Sequence, residues 1–320
     1  MSEALSVLLA TLRSSSGLNH KCDIQHVATA LLEAWPLNAY PNGDDCAVLS
    51  TADGYSLLAI EGFINQFVEH DPWFAGWCGV MVNLSDIAAM GGRPQAIVNA
   101  IWSTDGEKAQ RLLAGMVAAS RAYQVPIVGG HTNLRSEHQQ LAVAVLGQAT
   151  QVLSSFNARS GLALVAAIDL RGRWRGPGFN WDAATEADTK LLRNALAILP
   201  LLAESGLVVA AKDISQAGLF GTLVMMLESA QVGVEIELSS IPKPAECEWL
   251  HWLQAFPSFG YLLAVEPQHI DAVLSMFQTC GIDAASVGHF NDSKRLDVSQ
   301  EQECCCFWDL NIRPLTGIGY

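Results

Sequence analysis

The most constraining stretch of the chain runs from Met81 to Met90, Met-Val-Asn-Leu-Ser-Asp-Ile-Ala-Ala-Met. It belongs to a longer run, Trp77 to Met90, that has the apolar density of a buried helix and stops at Gly91-Gly92, a helix-ending signal. In the middle stands Asp86. A carboxylate is rarely placed among core residues, because burying its charge is costly unless the group is paired or coordinates a metal. The fold must therefore supply Asp86 with a partner, and a metal ion is one.

The 320 residues are enough for two ordinary domains with real cores, and half of them are hydrophobic. The 18 Lys plus Arg against 32 Asp plus Glu give a formal charge of −14, which disfavours a broad nucleic-acid footprint and suits a metal-bridged anionic ligand. The first apolar run, Ala4 to Leu12, follows Glu3 and is too short to span a membrane, so it reads as an amphipathic helix of a soluble protein. Eight cysteines without framework spacing fit reduced thiols and a cytoplasmic setting. Three of them, Cys304, Cys305 and Cys306, are consecutive; in a strand they point to alternate faces and do not enclose one tetrahedral metal, so packing is the reading preferred.

Ser14-Ser15-Ser16-Gly17 reads as a loop, followed by a helix from Ile24 to Trp35. Cys46 to Leu49 and Tyr55 to Ile60 form a hairpin around Asp53-Gly54. After the Asp86 helix come a strand at Ala96 to Trp102, a helix at Glu107 to Tyr123, and strands at Ile127 to Val128 and Leu141 to Gln148. These complete a sheet with helices on one face, an α+β unit over residues 1–155. Residues 156–320 repeat the alternation: strands at Leu162 to Ile168, Val234 to Leu238 and Tyr261 to Val265, helices near Ala183 to Glu204, Leu219 to Ser229 and Pro267 to Cys280, then a terminal run of strands.

The chain has no Gly-x-x-x-x-Gly-Lys-Ser/Thr phosphate loop, no Gly-x-Gly-x-x-Gly after a strand, and neither Gly-x-Ser-x-Gly nor His-Glu-x-x-His. It has instead short acidic segments at element ends: Gly43-Asp44-Asp45, Glu61-Gly62, Asn83-Leu84-Ser85-Asp86 and Lys212-Asp213-Ile214-Ser215-Gln216. Singly, each is ordinary turn or cap chemistry.

Together, Gly43-Asp44-Asp45-Cys46-Ala47-Val48, Asn83 through Pro94 and Asp213-Ile214-Ser215-Gln216-Ala217-Gly218-Leu219 resemble, in order and spacing, motifs of the aminoimidazole ribonucleotide synthetase-like superfamily. That group includes the purine enzyme, thiamine-monophosphate kinase and selenophosphate synthetase. The stretch through Asp86 to Pro94 is most similar to the kinase, and the whole pattern to a synthetase-related subgroup. The resemblance implies a two-domain α+β fold, a homodimer whose amino-terminal strands build a shared barrel, and a site for ATP with Mg2+, with Mn2+ or another divalent ion as alternatives. It also implies roles: Asp44 or Asp45, Glu61, Asp86 and Asp213 as metal ligands, Ser215 near the phosphates, and Gly129-Gly130 admitting the nucleotide to the backbone. Magnesium takes about six oxygens, shared among carboxylates, water and phosphate, which suits such a set.

Four positions depart from that pattern. Ile60-Glu61 replaces a Thr-Asp pair, keeping the charge on a longer arm. His131 stands in Gly129-Gly130-His131-Thr132 where relatives carry an acid; it replaces a ligand, selects a metal such as manganese, iron or zinc, or contacts phosphate. Gln216 also replaces an acid, which tells against the thiamine-monophosphate kinase reaction itself. His70, in Glu69-His70-Asp71, occupies the place of a substrate-side histidine in the kinase and is a candidate general base or a surface residue. Lys21 is a candidate cation in the amino-terminal segment, against a plain solvated lysine. Trp73, Phe74 and Trp77 read as packing, and Arg171-Gly172-Arg173-Trp174-Arg175 either holds a substrate anion or is a solvated loop. The expected activity is ATP- and metal-dependent phosphorylation, or phosphate activation, of an oxygen of a small metabolite. The alternatives are a direct small-metabolite kinase and a nucleotide-binding partner protein without turnover.

Overall fold

The computed structural model describes residues 4–31, 34, 40–176, 178–257 and 260–319. In chain order the elements are α1 (Leu5–Arg13), α2 (Ser16–Cys22), α3 (Ile24–Leu31), β1 (Ala47–Thr51), β2 (Gly54–Phe63), α4 (Asn65–His70), α5 (Pro72–Ala89), β3 (Arg93–Trp102), α6 (Gly106–Tyr123), β4 (Ile127–Asn133) and β5 (Gln140–Ala149). There follow β6 (Ala163–Ile168), β7 (Arg173–Trp174), β8 (Trp181–Asp182), α7 (Thr189–Glu204), β9 (Ala210–Asp213), α8 (Gly218–Ala230), β10 (Gly233–Glu237), α9 (Trp249–Trp252), β11 (Gly260–Val265), α10 (Ile270–Thr279), β12 (Asp283–Asn291), β13 (Arg295–Gln300) and β14 (Glu303–Asp309). Trp35, the expected end of the third helix, lies outside the described residues.

The chain divides into two compact units. One comprises Met1–Asp44, Leu153–Ala183 and Leu202–Tyr320; the other comprises Asp45–Val152 and Ala184–Leu201. The sequence reading put the amino-terminal helices with the first sheet, whereas they group with the carboxy-terminal half. The reason is packing: Leu5, Leu8, Leu9 and Leu12 of α1 are buried in the same core as Phe307, Phe220 and Leu227, and the Leu5 N–H donates to Glu303 of β14.

The unit containing Asp86 has a five-stranded sheet in the order β1-β2-β5-β3-β4. β1 and β2 form the expected hairpin, with Ala47 opposite Leu58, and β3-α6-β4 is a crossover joining parallel strands. Leu57, Ala59, Ile97, Ile101, Val143 and Val145 are buried on the face that meets α5. α6 packs on α5 at two glycines: a Cβ on Gly76 would strike the Leu112 carbonyl, and one on Gly115 the Trp73 carbonyl. Trp73 and Trp77 stack at 5.6 Å, and Phe74 is 1% exposed, so these aromatics are packing residues. The other sheet face is different. Leu49, Leu58, Ile60, Val98, Val128 and Leu146 are exposed, with Leu58 directly opposite Leu146.

The other unit has a seven-stranded sheet, β14-β13-β10-β12-β6-β11-β9, antiparallel except for the β10 and β13 pair. β6, β9 and β11 are buried along their whole length, because this part of the sheet is covered on both faces. Ser14-Ser15-Ser16-Gly17, read as a loop, instead begins α2: the Ser15 hydroxyl accepts from the Leu18 N–H at 3.4 Å as an N-cap. Gly17 is required there because any Cβ would collide with the Gln216 carbonyl, and Leu18 is 2% exposed beside Gly221 of α8. None of the eight cysteines is joined to another in a disulfide. Among the described residues, no helix is long and apolar enough to cross a membrane.

Candidate functional site

α5 presents Asp86. Pro72 occupies the first turn of this helix and the Asp71 carboxylate accepts from the Phe74 N–H at 3.2 Å, so the helix begins earlier than its apolar run suggests. Asp86 is 6% exposed and Asn83, one turn before it, 0%. The Asn83 amide donates to the Gly79 carbonyl at 2.8 Å, while its Oδ1 is buried without a hydrogen-bond partner among the described residues. From the turn before β1, Asp45 brings a carboxylate oxygen within 4.8 Å of one of Asp86. Two carboxylates this close repel unless a cation or a proton lies between them.

The neighbouring Asp44 is committed elsewhere. Its Oδ2 accepts from the Ser154 hydroxyl at 2.9 Å and the Ser155 N–H at 2.7 Å; its Oδ1 accepts from the Ser155 hydroxyl at 2.7 Å and Lys212 Nζ at 3.2 Å. Burial pushes the Asp44 carboxyl up, but Lys212 and the Ser155 and Ser154 hydrogen bonds outweigh it and hold the group below the usual carboxylate range. Four donors thus meet the Asp44 carboxylate, which anchors it to Ser154, Ser155 and Lys212.

In the unit that holds Asp44, Asp213 ends β9 and is 3% exposed. The next residues turn into α8: Gly218 has φ +68°, and a Cβ there would strike the Leu253 carbonyl. The Ser215 N–H donates to the Thr222 hydroxyl at 3.1 Å, and Ala217 at the N-cap accepts no side-chain bond from the helix start. The Gly218 N–H donates to the Ser215 carbonyl at 2.8 Å and the Leu219 N–H to the Leu253 carbonyl at 3.1 Å, so the first amides of this helix are already bonded within the protein. Lys21 is half-buried on α2, whose Gly17 abuts Gln216.

Gly129, Gly130 and His131 are exposed on β4, an edge strand, and the His131 ring is 6.1 Å from that of Trp102. Gly130 lies against Asn99 of β3, where a Cβ would sit 2.6 Å from the Asn99 side-chain oxygen. Glu61 is exposed on β2, and neither it nor His131 is in the group whose ligand atoms lie within 4.8 Å of one another. His70 is exposed at the end of α4, next to Glu69, which faces His138 at 3.7 Å. In the arginine loop, Arg171 pairs with Asp169 at 2.6 Å and Arg175 with Asp182 at 3.2 Å, so two of its three guanidiniums are already neutralised.

Sequence reasoning missed three residues here: Ser154 and Ser155, which fix Asp44, and Lys212, whose side chain is only 6% exposed. The signal for Lys212 was present, since Val208 to Ile214 is apolar apart from Lys212 and Asp213.

Fold and carboxylates together define a two-unit α+β protein with mixed sheets and an acidic centre. Among solved structures, Thermotoga maritima PurL complexed with ATP superposes with a TM-score of 0.78 at 16% identity, covering 98% of this chain and 52% of that one. The chain thus spans about half the length of PurL. AaThiL complexed with AMPPCP and TMP superposes with a TM-score of 0.66 at 17% identity, covering 88% of this chain and 94% of that one. An uncharacterised protein of Synechocystis, sll0787, is 42% identical over 98% of both chains. Residues 43–149 match the AIR synthase related protein N-terminal domain and residues 141–300 its C-terminal domain; the chain belongs to the AIR synthase-related family.

Proposed function

We propose that the protein is an ATP- and divalent-metal-dependent enzyme that passes the terminal phosphate of ATP to an oxygen of a small metabolite. Family membership supports the reaction class, as do the names of two fold relatives, PurL complexed with ATP and AaThiL complexed with AMPPCP and TMP.

The observation that carries the reading is the close approach of the Asp45 and Asp86 carboxylates, one of them buried, with Asn83, whose oxygen has no partner among the described residues, one turn before Asp86 on α5. An all-oxygen donor set of this kind fits magnesium or manganese. Asp45 and Asp86 are the proposed ligands, with Asp213 as the third. A divalent ion held there supplies charge that offsets the phosphate oxygens. The chain's own groups position the substrate: the Ser215 side chain, just before α8, meets phosphate, and Lys21 supplies a positive charge on the neighbouring α2. Glu61, His131 and His70 are proposed as residues that engage nucleotide or substrate rather than the first metal. Gly129 and Gly130 let a ligand approach the backbone of β4.

The exposed apolar face of the five-stranded sheet supports a homodimer in which two such faces meet. The test of the enzymatic reading is nucleotide binding by calorimetry with Mg2+ or Mn2+, for the wild type and Asp86→Asn, followed by a metabolite screen for ADP release. Metal-dependent ATP binding that disappears in Asp86→Asn is expected. Equal affinity in the two proteins rejects the proposed centre, and binding without ADP release from any metabolite identifies a nucleotide-binding partner protein instead.

A further inference from the structure

Glu228 is a carboxylate with 0% exposure in the last turn of α8, and it is satisfied by residues 315–317. Its Oε1 accepts from the Leu315 N–H at 2.9 Å and the Gly317 N–H at 3.1 Å; its Oε2 accepts from the Thr316 N–H at 2.8 Å and the Thr316 hydroxyl at 2.6 Å. Three successive backbone amides on one buried carboxylate form a directional clamp, stronger than neutral hydrogen bonds and costly to break. Leu315 beneath it is 1% exposed. The clamp determines where the following residues go. Gly317, with φ +73°, turns the chain beside Gln25 of α3, and the Ile318 N–H donates back to the Thr316 hydroxyl at 3.3 Å.

Ile318 then lies over Gly43. A Cβ built on Gly43 would be 2.7 Å from Ile318 Cδ1 and nearer still to Cγ2, so the isoleucine fills the space a side chain at 43 would need. Gly43 has φ +107°, a conformation that other residues avoid, and Asp44 and Asp45 follow it directly. Asp44 is fixed by Ser154, Ser155 and Lys212; Gly43, on the other side, is backed by Ile318.

We propose that the carboxy-terminal strap Leu315–Ile318, clamped by Glu228, is a positioning element of the metal centre: Ile318 holds the Gly43-Asp44-Asp45 turn in the conformation that presents Asp45. This rests on the metal reading given above, and the strap acts through the turn. Loosening it lowers metal affinity while leaving the fold intact, since Ile318 is only half-buried.

The test is Mn2+ binding by the full-length protein, followed by the electron paramagnetic resonance signal of free Mn2+, alongside thermal melting without metal. Ile318→Gly is expected to bind Mn2+ about 10-fold more weakly than wild type, the scale on which supporting residues act on metal sites. Ile318→Val, which keeps a branched chain over Gly43, restores most of that affinity. Val298→Ala, a core truncation in β13, lowers the melting temperature and leaves Mn2+ affinity unchanged. Wild-type affinity in Ile318→Gly, or a loss in Val298→Ala as large as in Ile318→Gly, overturns the inference. A wild type that binds no Mn2+ removes the metal reading itself and the strap's role with it.

Discussion

Lys212 Nζ lies 3.2 Å from Asp44 Oδ1, and both side chains are nearly inaccessible, at 6% and 1% exposure. The pair ties the turn before β1 to the end of β9. Its worth depends on what is removed. Two charges withdrawn from water gain little over a well-packed apolar pair, but one left alone is strongly destabilising. Asp44→Asn is therefore expected to cost about 3–5 kcal/mol, and Asp44→Asn combined with Lys212→Met to recover more than half of that. Urea midpoints of the two variants and the wild type decide the matter; a double variant no better than the single one contradicts it.

The same pair predicts a pH dependence. The folded Asp44 carboxyl lies below the value of about 3.9 expected for an unperturbed aspartate. Its contribution is thus fully present above that value and lost as pH falls through the lower, folded one. Across the neutral range, the stability gap between wild type and Asp44→Asn should stay constant, narrowing only below about pH 4. A gap that already closes between neutrality and about pH 5 would show that another group titrates with the pair.

Asp86 should behave in the opposite sense to Asp44. Without metal, its carboxylate near that of Asp45 is a burden on the fold, a common trade of stability for function. Asp86→Asn is expected to raise the metal-free melting temperature by about 2–4 °C, equivalent to about 1 kcal/mol, and to abolish the further rise that Mn2+ gives the wild type. A lower metal-free melting temperature in the variant would mark Asp86 as a structural hydrogen-bonding residue.

How far this centre was legible depended on the residue. Asp86 was readable because a carboxylate among Val80, Leu84, Ile87 and Ala88 has few explanations. Asp44 and Asp45 were not separable, being identical neighbours in one turn. Their division is made by Ser154 and Ser155, 110 residues and more along the chain. The hairpin and the helix at α6 came through because alternation and capping are local. The run Gly129 to Asn133 extends β4 beyond the two residues expected, since an exposed edge strand needs no apolar pattern. α2 was hidden because a serine run reads as a loop until one serine is seen to be a cap. The strap over Gly43 was invisible for a different reason: nothing in Leu315 to Ile318 announces that a buried glutamate will hold three amides.

His251 offers a prediction within the physiological range. Its ring stands T-shaped on Trp174 at 4.0 Å and lies 5.0 Å from Phe179, and burial pushes its pKa down. A histidine whose folded pKa is depressed stabilises the fold above about 6.5, its unfolded value, and that contribution fades as pH falls through the folded one. Cys247, whose thiol burial pushes up, stays neutral across this interval. The wild type should lose stability between about pH 7 and pH 5 more steeply than His251→Phe. Parallel melting curves for the two proteins would assign the slope elsewhere.

The outer face of the five-stranded sheet carries the last prediction. Ile60 is 70% exposed, and in the register of the sheet it shares a row with Ala144 and Val98, next to the row of Leu58 and Leu146. Contiguous apolar rows on an open sheet face invite a partner, and a second copy offers the same rows in the same spacing, related by a twofold axis. A charge at the centre of such an interface is left without a partner and desolvated on association, so one substitution is enough to separate the subunits. In the isolated chain the same substitution is solvated and nearly neutral, within about 0.5 kcal/mol. Ile60→Asp is therefore expected to convert a dimer to a monomer in analytical ultracentrifugation while the monomer keeps its circular dichroism spectrum. A dimer that survives Ile60→Asp, or a wild type that sediments as a monomer at micromolar concentration, would show that this face does not join two copies.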